Sequence, residues 1–127
     1  MGLDQGAAPE TWADAALTLA EVLGEARCGW LADRPLQWQS GNLWAVHAGA
    51  DPLRPMSEQT ARVLLWGHPE FDTTLRQDEA WVAHGHVVQG SPNLSDGRIG
   101  LDTGAWSTGR LSAVAIAPSG AHAFLQT

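Results

Sequence analysis

Two histidines fall where a protein places metal ligands. His47 follows the apolar run Leu43-Trp44-Ala45-Val46 and precedes Ala48-Gly49, and His86 follows the run begun at Trp81 and ending at Gly85. Neutral imidazole is the commonest side-chain ligand for borderline divalent metals. A rigid strand that ends in a polar side chain and a small residue is how α/β proteins present chemistry at a strand's carboxyl end. Two such pieces far apart in sequence suit two neighbouring parallel strands that deliver both rings to one point. For a lone histidine the commoner situation is a satisfied buried imidazole, and that reading stands beside the metal one for His47.

The elements that would position these rings follow from periodicity. Residues 1–10 lack any pattern and read as a disordered lead-in. Thr11 caps a helix in which Trp12, Ala16, Leu19, Ala20 and Leu23 share a face, with Gly24 or Gly29 as its stop. Leu31 to Trp38, broken by Pro35, is a second short helix or an extended piece. Gln39-Ser40-Gly41-Asn42 reads as a turn, and Leu43 to Val46 as a strand. Ser57 is expected to cap a helix over Glu58 to Leu65. Asp72 to Glu79 reads as a helix turn or loop. Strands are expected at Trp81 to Ala83, Arg98 to Leu101 and Leu111 to Ala117. The last returns through Pro118-Ser119-Gly120 to pair with Ala121 to Leu125 as a hairpin. His122 in that hairpin reads as a surface imidazole.

Composition narrows the partners. The chain has 127 residues, enough for one domain with a real core, and it carries a formal charge of −7. That sign argues against a nucleic-acid partner and against an anionic membrane face. The single cysteine, Cys28, rules out an internal disulfide and fits a reducing cytoplasm. No apolar run reaches membrane-spanning length.

Several segments together resemble the metal-dependent phosphoprotein phosphatase family within the calcineurin-like metallophosphoesterases. Val46-His47-Ala48-Gly49 is similar to its V-H-A-G segment, and Asp51-Pro52 suits the proline that follows. Leu64-Leu65-Trp66 with Phe71 is similar to L-L-W-I-R and its phenylalanine. Val82-Ala83-His84-Gly85-His86 is similar to V-x-H-G-H. Arg98 to Ala105 and Thr108-Gly109-Arg110-Leu111-Ser112-Ala113 resemble R-I-n-I-D-T-G-A and T-G-x-L-x-A.

The resemblance implies an α/β fold, the C-terminal half of a calcineurin-like metallophosphoesterase β-sandwich flanked by helices. That partial domain would span residues 11–127. It implies that His47 and His86 bind one ion of a two-metal centre, manganese first, with iron or zinc compatible. It places His68 where the family has a phosphate-binding arginine; a permanent planar fork is thereby exchanged for a weaker, pH-dependent donor. Arg98 is implied near the substrate phosphate, with a structural ion pair as the other reading. His84 has a supporting or packing role and Asp102 a loop-holding one. Val88 stands where related phosphoesterases have a further histidine, which favours the phosphoprotein phosphatase branch. The implied substrate is a phosphorylated protein or a small phosphoester.

Three family segments, G-D-x-H-G, G-D-x-x-D-R-G and G-N-H-E, are not found in the chain. They carry the remaining ligands, a phosphate-binding arginine and the general-acid histidine. No residue of the chain takes a catalytic proton-transfer role by resemblance. The expectation is a fragment, a misplaced start or a decayed relative, inactive by itself. A dinucleoside-polyphosphate hydrolase of the same superfamily and a catalytically dead binding module are the competing readings.

Overall fold

The structure is a computed structural model, and residues 11–127 are described; the expected lead-in over 1–10 lies outside them. The chain divides into one unit running to Pro35 and a second of Leu36–Thr127.

In the first unit, α1 spans Trp12–Leu23 and α2 spans Glu25–Ala32. Thr11 caps α1: its hydroxyl oxygen accepts the Asp14 N–H at 3.2 Å, satisfying a donor the helix cannot. Gly24 stops the helix at φ 76, in the left-handed half of backbone space that costs a glycine little. It turns the chain without ending helical structure, so α2 starts at Glu25, ahead of the position expected for the second element. Neither helix has a buried residue, and Trp12 is 92% exposed. The apolar stripe of α1 therefore does not face a core here.

The second unit opens with a hairpin, β1 Gln37–Ser40 and β2 Leu43–Val46. The expected four-residue turn is only Gly41-Asn42, with Gly41 at φ 59; Gln39 and Ser40 pair with Trp44 and Leu43. After a 3₁₀ turn at Met56–Glu58 comes α3, Ala61–Trp66, capped by Thr60, whose side chain accepts the Val63 N–H at 3.4 Å. The helix starts later than Ser57 would start it. Gln59 is extended, and its amide ties Asp51, Arg54 and Pro55 together, which breaks the run. Strand β3 is Trp81–His84, β4 is Asn93–Ser95 and β5 is Arg98–Gly100. Strand β4 was not expected. Its turn into β5 is Asp96-Gly97, at φ 52 and 75, a two-residue hairpin link.

The five strands form one sheet in the order β1-β2-β3-β5-β4. Strands β2, β3 and β5 run parallel at its centre, and β1 and β4 flank them antiparallel. A short helix α4, Ala105–Thr108, leads to β6, Ser112–Ile116, and β7, His122–Gln126, which form a separate two-stranded sheet.

Side chains alternate across the strands as the pleat requires. Trp44, Val46 and Val82 pack on Ala50, Met56, Leu64, Phe71 and Ala80, which form the core. Leu43, Trp81 and Ile99 face the other way, towards Ile116 and His122, across a cavity of about 340 Å³. The architecture is α/β, with a mixed sheet, a hairpin on one face and α3 on the other.

Candidate metal and phosphate site

Parallel pairing decides where the two histidines meet. Strands β2 and β3 pair Leu43 with Trp81, Trp44 with Val82 and Ala45 with Ala83. Their carboxyl ends therefore coincide, and the Gly85 N–H donates to the His47 carbonyl at 2.9 Å. His47 and His86 lie beyond that bond with ring centroids 5.1 Å apart and planes at 64°.

His86 reaches this position by an unusual backbone. Its φ is 67, and the Val87 N–H closes on the Gly85 carbonyl at 2.8 Å, a γ-turn centred on His86. Left-handed backbone costs a side chain of the L series on the order of 1–2 kcal/mol. Histidine is among the residues that tolerate it best. The turn swings the ring back over the strand end, where it also meets Trp66 edge-on at 5.9 Å. Strained residues held by their surroundings gather at working sites.

Around the pair is a groove of about 370 Å³ at the ends of β2, β3 and β5. Its floor is held by Asp102 and Thr103. The Asp102 carboxylate accepts the Gly104 N–H at 2.9 Å. Thr103, 2% exposed, donates to the Arg110 carbonyl at 2.7 Å and lies 2.7 Å from the Ser112 hydroxyl, tying the loop after β5 to the start of β6. Two residues after His47, Gly49 lets the chain pass close to the core: a Cβ there would come 3.0 Å from the Phe71 ring.

His84 does not join the pair. It points to the core face with Val82, 6% exposed, with its ring 4.9 Å from Phe71. Burial, with a smaller opposing effect of the Gly85 carbonyl, holds its pKa below the usual histidine value. His84 packs as a neutral core imidazole. His122 is exposed in the terminal hairpin, and its side chain lines the cavity on the far side of the sheet.

His68 lies in a second groove, of about 520 Å³, which His86 also lines. Both of its nitrogens face protein. Nδ1 accepts the Glu70 N–H at 3.2 Å, which leaves the ring proton on Nε2, 3.9 Å from the Asp51 carboxylate. Arg98 is not brought to the histidines. It opens β5 at the amino end, whereas the rings stand past the carboxyl ends. Its guanidinium donates to the Phe71 and Thr74 carbonyls at 3.0 and 3.3 Å and lies 3.5 Å from Asp96. With its side chain 11% exposed, Arg98 fastens the Phe71–Thr74 loop to the sheet. Sequence reasoning missed Arg62, which lines the same groove as His68; its signal was the i,i+4 spacing to Trp66 on one helix face.

Two imidazoles on one ion, each about 2.0–2.1 Å from the metal at a tetrahedral angle, hold their ring centroids roughly 5 Å apart. The His47–His86 spacing of 5.1 Å fits that arrangement. The number of ligands does not: among the described residues no group of three or more His, Cys, Asp or Glu could hold a metal ion. A structural or catalytic site needs three or four protein ligands, so this pair is part of a centre and not a centre by itself.

The mixed sheet with a hairpin on one face and α3 on the other is an α/β architecture, and the chain shares the fold of part of a solved structure. A crystal structure described as a "putative diadenosine tetraphosphatase" is similar to it with a TM-score of 0.63 and 20% identity. That likeness covers 88% of this chain and 61% of the other, so the chain spans about three fifths of the length of the structure it matches. No protein-family profile and no curated protein matches the chain. Among the described residues no helix is long and apolar enough to cross a membrane.

Proposed function

We propose that this chain supplies part of a divalent-metal-dependent phosphoester hydrolase, with His47 and His86 as two ligands to one ion. One observation carries the reading: two imidazoles delivered by adjacent parallel strands to a spacing of 5.1 Å, one of them through a strained γ-turn. Bound between such ligands, a divalent ion supplies Lewis acidity to a phosphoryl oxygen. This chain's own share is to hold the two rings rigidly, through the Gly85–His47 backbone bond and the Asp102-Thr103 loop, and to shape the groove in front of them. By resemblance, no residue of the chain takes the general-acid role. The chain by itself is therefore expected to be inactive, and the remaining ligands must come from elsewhere.

Two substrate readings follow. The V-H-A-G and V-x-H-G-H segments favour a phosphoserine or phosphothreonine protein. The likeness to a structure described as a diadenosine tetraphosphatase favours a dinucleoside polyphosphate. The replacement of the family arginine by His68, whose nitrogens face protein, weakens the first reading, since a bidentate phosphate fork is lost.

Paramagnetic Mn²⁺ tests the ligand assignment without any need for turnover. Titrated into the labelled chain, Mn²⁺ is expected to broaden the ring resonances of His47 and His86 at lower concentration than those of His84 or His122. His86→Ala should raise the Mn²⁺ concentration needed to broaden His47 by about tenfold or more. Broadening confined to His122 or to the acidic surface, with the His47 ring untouched, would overturn the assignment.

A further inference from the structure

The side chains that carry a permanent positive charge are few enough to follow one by one. The chain has seven arginines and no lysine. Arg27 and Arg34 donate to carbonyls one helical turn back, those of Leu23 at 3.2 Å and Trp30 at 2.7 Å. Arg54 lies 3.4 Å from the Asp51 carboxylate. Arg76 and Arg98 each donate to two loop carbonyls and pair with an aspartate. Only the guanidinium groups of Arg62 and Arg110 have no hydrogen-bond or ion-pair partner among the described residues. Arg62 lines the groove of His68. Arg110 lines the groove that holds both His47 and His86, and no other arginine does.

The fold holds Arg110 in that place by its backbone. The chain leaves β5, makes the short helix α4, and turns at Gly109, whose φ is 72. Arg110 then arrives beside Thr103. Its N–H donates to the Thr108 hydroxyl at 3.1 Å, and its carbonyl accepts from the Thr103 hydroxyl at 2.7 Å. Thr103 is 2% exposed, so the anchor belongs to the rigid end of the sheet. Pairing with the last strand runs on past β6, because the Thr127 N–H donates to the Leu111 carbonyl at 3.1 Å. The Ser112 hydroxyl lies 2.7 Å from that of Thr103, which shows the side of this strand that faces the groove floor. In an extended chain alternate residues share a side, so Arg110 stands on the side of Ser112.

An anchored backbone with an unpaired guanidinium beside two candidate metal ligands suits one chemistry. A phosphoryl group on an ion held by two imidazoles keeps oxygens that the ion does not take, and these need donors. A planar guanidinium gives two parallel N–H bonds to two oxygens of one phosphate. The residues that resemblance offers for this contact are engaged elsewhere: His68 by Glu70 and Asp51, Arg98 by Phe71 and Thr74. We infer that Arg110 is the phosphate-binding residue of this site, its guanidinium donating to two non-bridging oxygens of the phosphoryl group in front of His47 and His86. The inference rests on the phosphoester reading and supplies the cation that His68 and Arg98 do not.

Inorganic phosphate titrated into the labelled chain is the probe, with the Arg110 guanidinium resonances identified through Arg110→Gln. Phosphate should shift those resonances and the His47 and His86 rings with one common Kd. Arg110→Gln should raise that Kd by about tenfold, because two charge-assisted bonds are lost. Arg110→Lys should fall between, keeping the charge without the fork. Arg27→Gln, the same change of charge in the first unit, should leave the Kd as it was. Equal weakening by Arg110→Gln and Arg27→Gln would reduce the effect to net charge and overturn the assignment. So would shifts at Arg62 with Arg110 unmoved, or no shift at Arg110 at any concentration. If both rings shift and Arg110→Gln leaves the Kd unchanged, the assignment falls and the phosphoester reading stands. If Arg110 shifts while neither ring does, Arg110 binds phosphate and the phosphoester reading falls.

Discussion

His86 concentrates most of what is unusual in this chain into one residue. It pairs with His47, touches Trp66, lines both grooves and carries a positive φ of 67. A backbone strain held for the sake of a side chain has a measurable signature. At an ordinary exposed position glycine is less stable than alanine, because it has more freedom to lose. At a left-handed position the order reverses. We therefore expect His86→Gly to be more stable than His86→Ala by about 1 kcal/mol, read from urea midpoints at unchanged slope. Both variants lose the same ring contacts, so their difference isolates the backbone. Equal midpoints, or alanine ahead, would mean that no strain is stored in the turn. Substitution by Val should be worse than either, since a β-branched side chain tolerates this region least.

At the scale of elements, Arg76 ties the connection from α3 to β3 to the loop after β2. Arg76, its side chain 5% exposed, donates to the Asp51 and Arg54 carbonyls at 2.8 Å each and pairs with Asp78. The Arg76 guanidinium, partly offset by burial, holds the Asp78 carboxyl below its usual value of 3.8. The sign of the linkage follows. A carboxylate with a lowered folded pKa stabilises the fold at all pH values above its unfolded value, and that stability is lost as pH falls through the folded value. Asp78→Asn should thus cost stability by a constant amount above about pH 5. The gap to the parent should close as pH falls below about 4. Because Asp78 is 39% exposed, the expected effect is small, below about 1 kcal/mol. Thermal melts of both proteins across that range give the answer. A gap that persists undiminished at the acid end would show that Asp78 acts by packing or by its hydrogen bond to Ala80 N–H, and not by charge.

For the whole molecule, the question is what this chain accomplishes without further ligands. Two imidazoles leave most of an ion's coordination to water, and by resemblance no residue of the chain takes the general-acid role. General acid catalysis alone is worth typically about 10²–10⁴-fold. We expect no turnover of an aryl phosphate by the 127-residue chain in excess Mn²⁺. In a longer protein that also contains the G-D-x-H-G, G-D-x-x-D-R-G and G-N-H-E segments, metal-dependent hydrolysis is expected, falling at least about 100-fold in His47→Ala and His86→Ala. A comparison there of diadenosine tetraphosphate with a phosphopeptide decides between the two substrate readings. Robust turnover by the short chain, abolished by the same two alanines, would mean that the pair needs no partners and that the ligand arithmetic is mistaken.

Much of the architecture was legible because it is local. Thr11 and Asp14 announce the start of α1, and Leu43–Val46, Trp81–Ala83 and the terminal hairpin announce themselves by apolar runs bounded by turn residues. The Asp96-Gly97 turn was also written in the chain and marks the unexpected β4, a three-residue strand too short to show a period. What local pattern does not contain is partnership. That His84 faces Phe71 while His86, two residues on, swings back to His47 follows from a γ-turn that no spacing rule encodes. A regular strand would have put His84 and His86 on the same face. For Arg98 the resemblance left a phosphate contact and a structural ion pair both open; the register of β5 against β3 places it at the strand's beginning, bound to the Phe71 and Thr74 carbonyls and 3.5 Å from Asp96. Sequence determined which residue types were available and roughly which elements carried them. Only the tertiary structure decided which of them meet, because parallel register and backbone handedness are settled between strands and not along one.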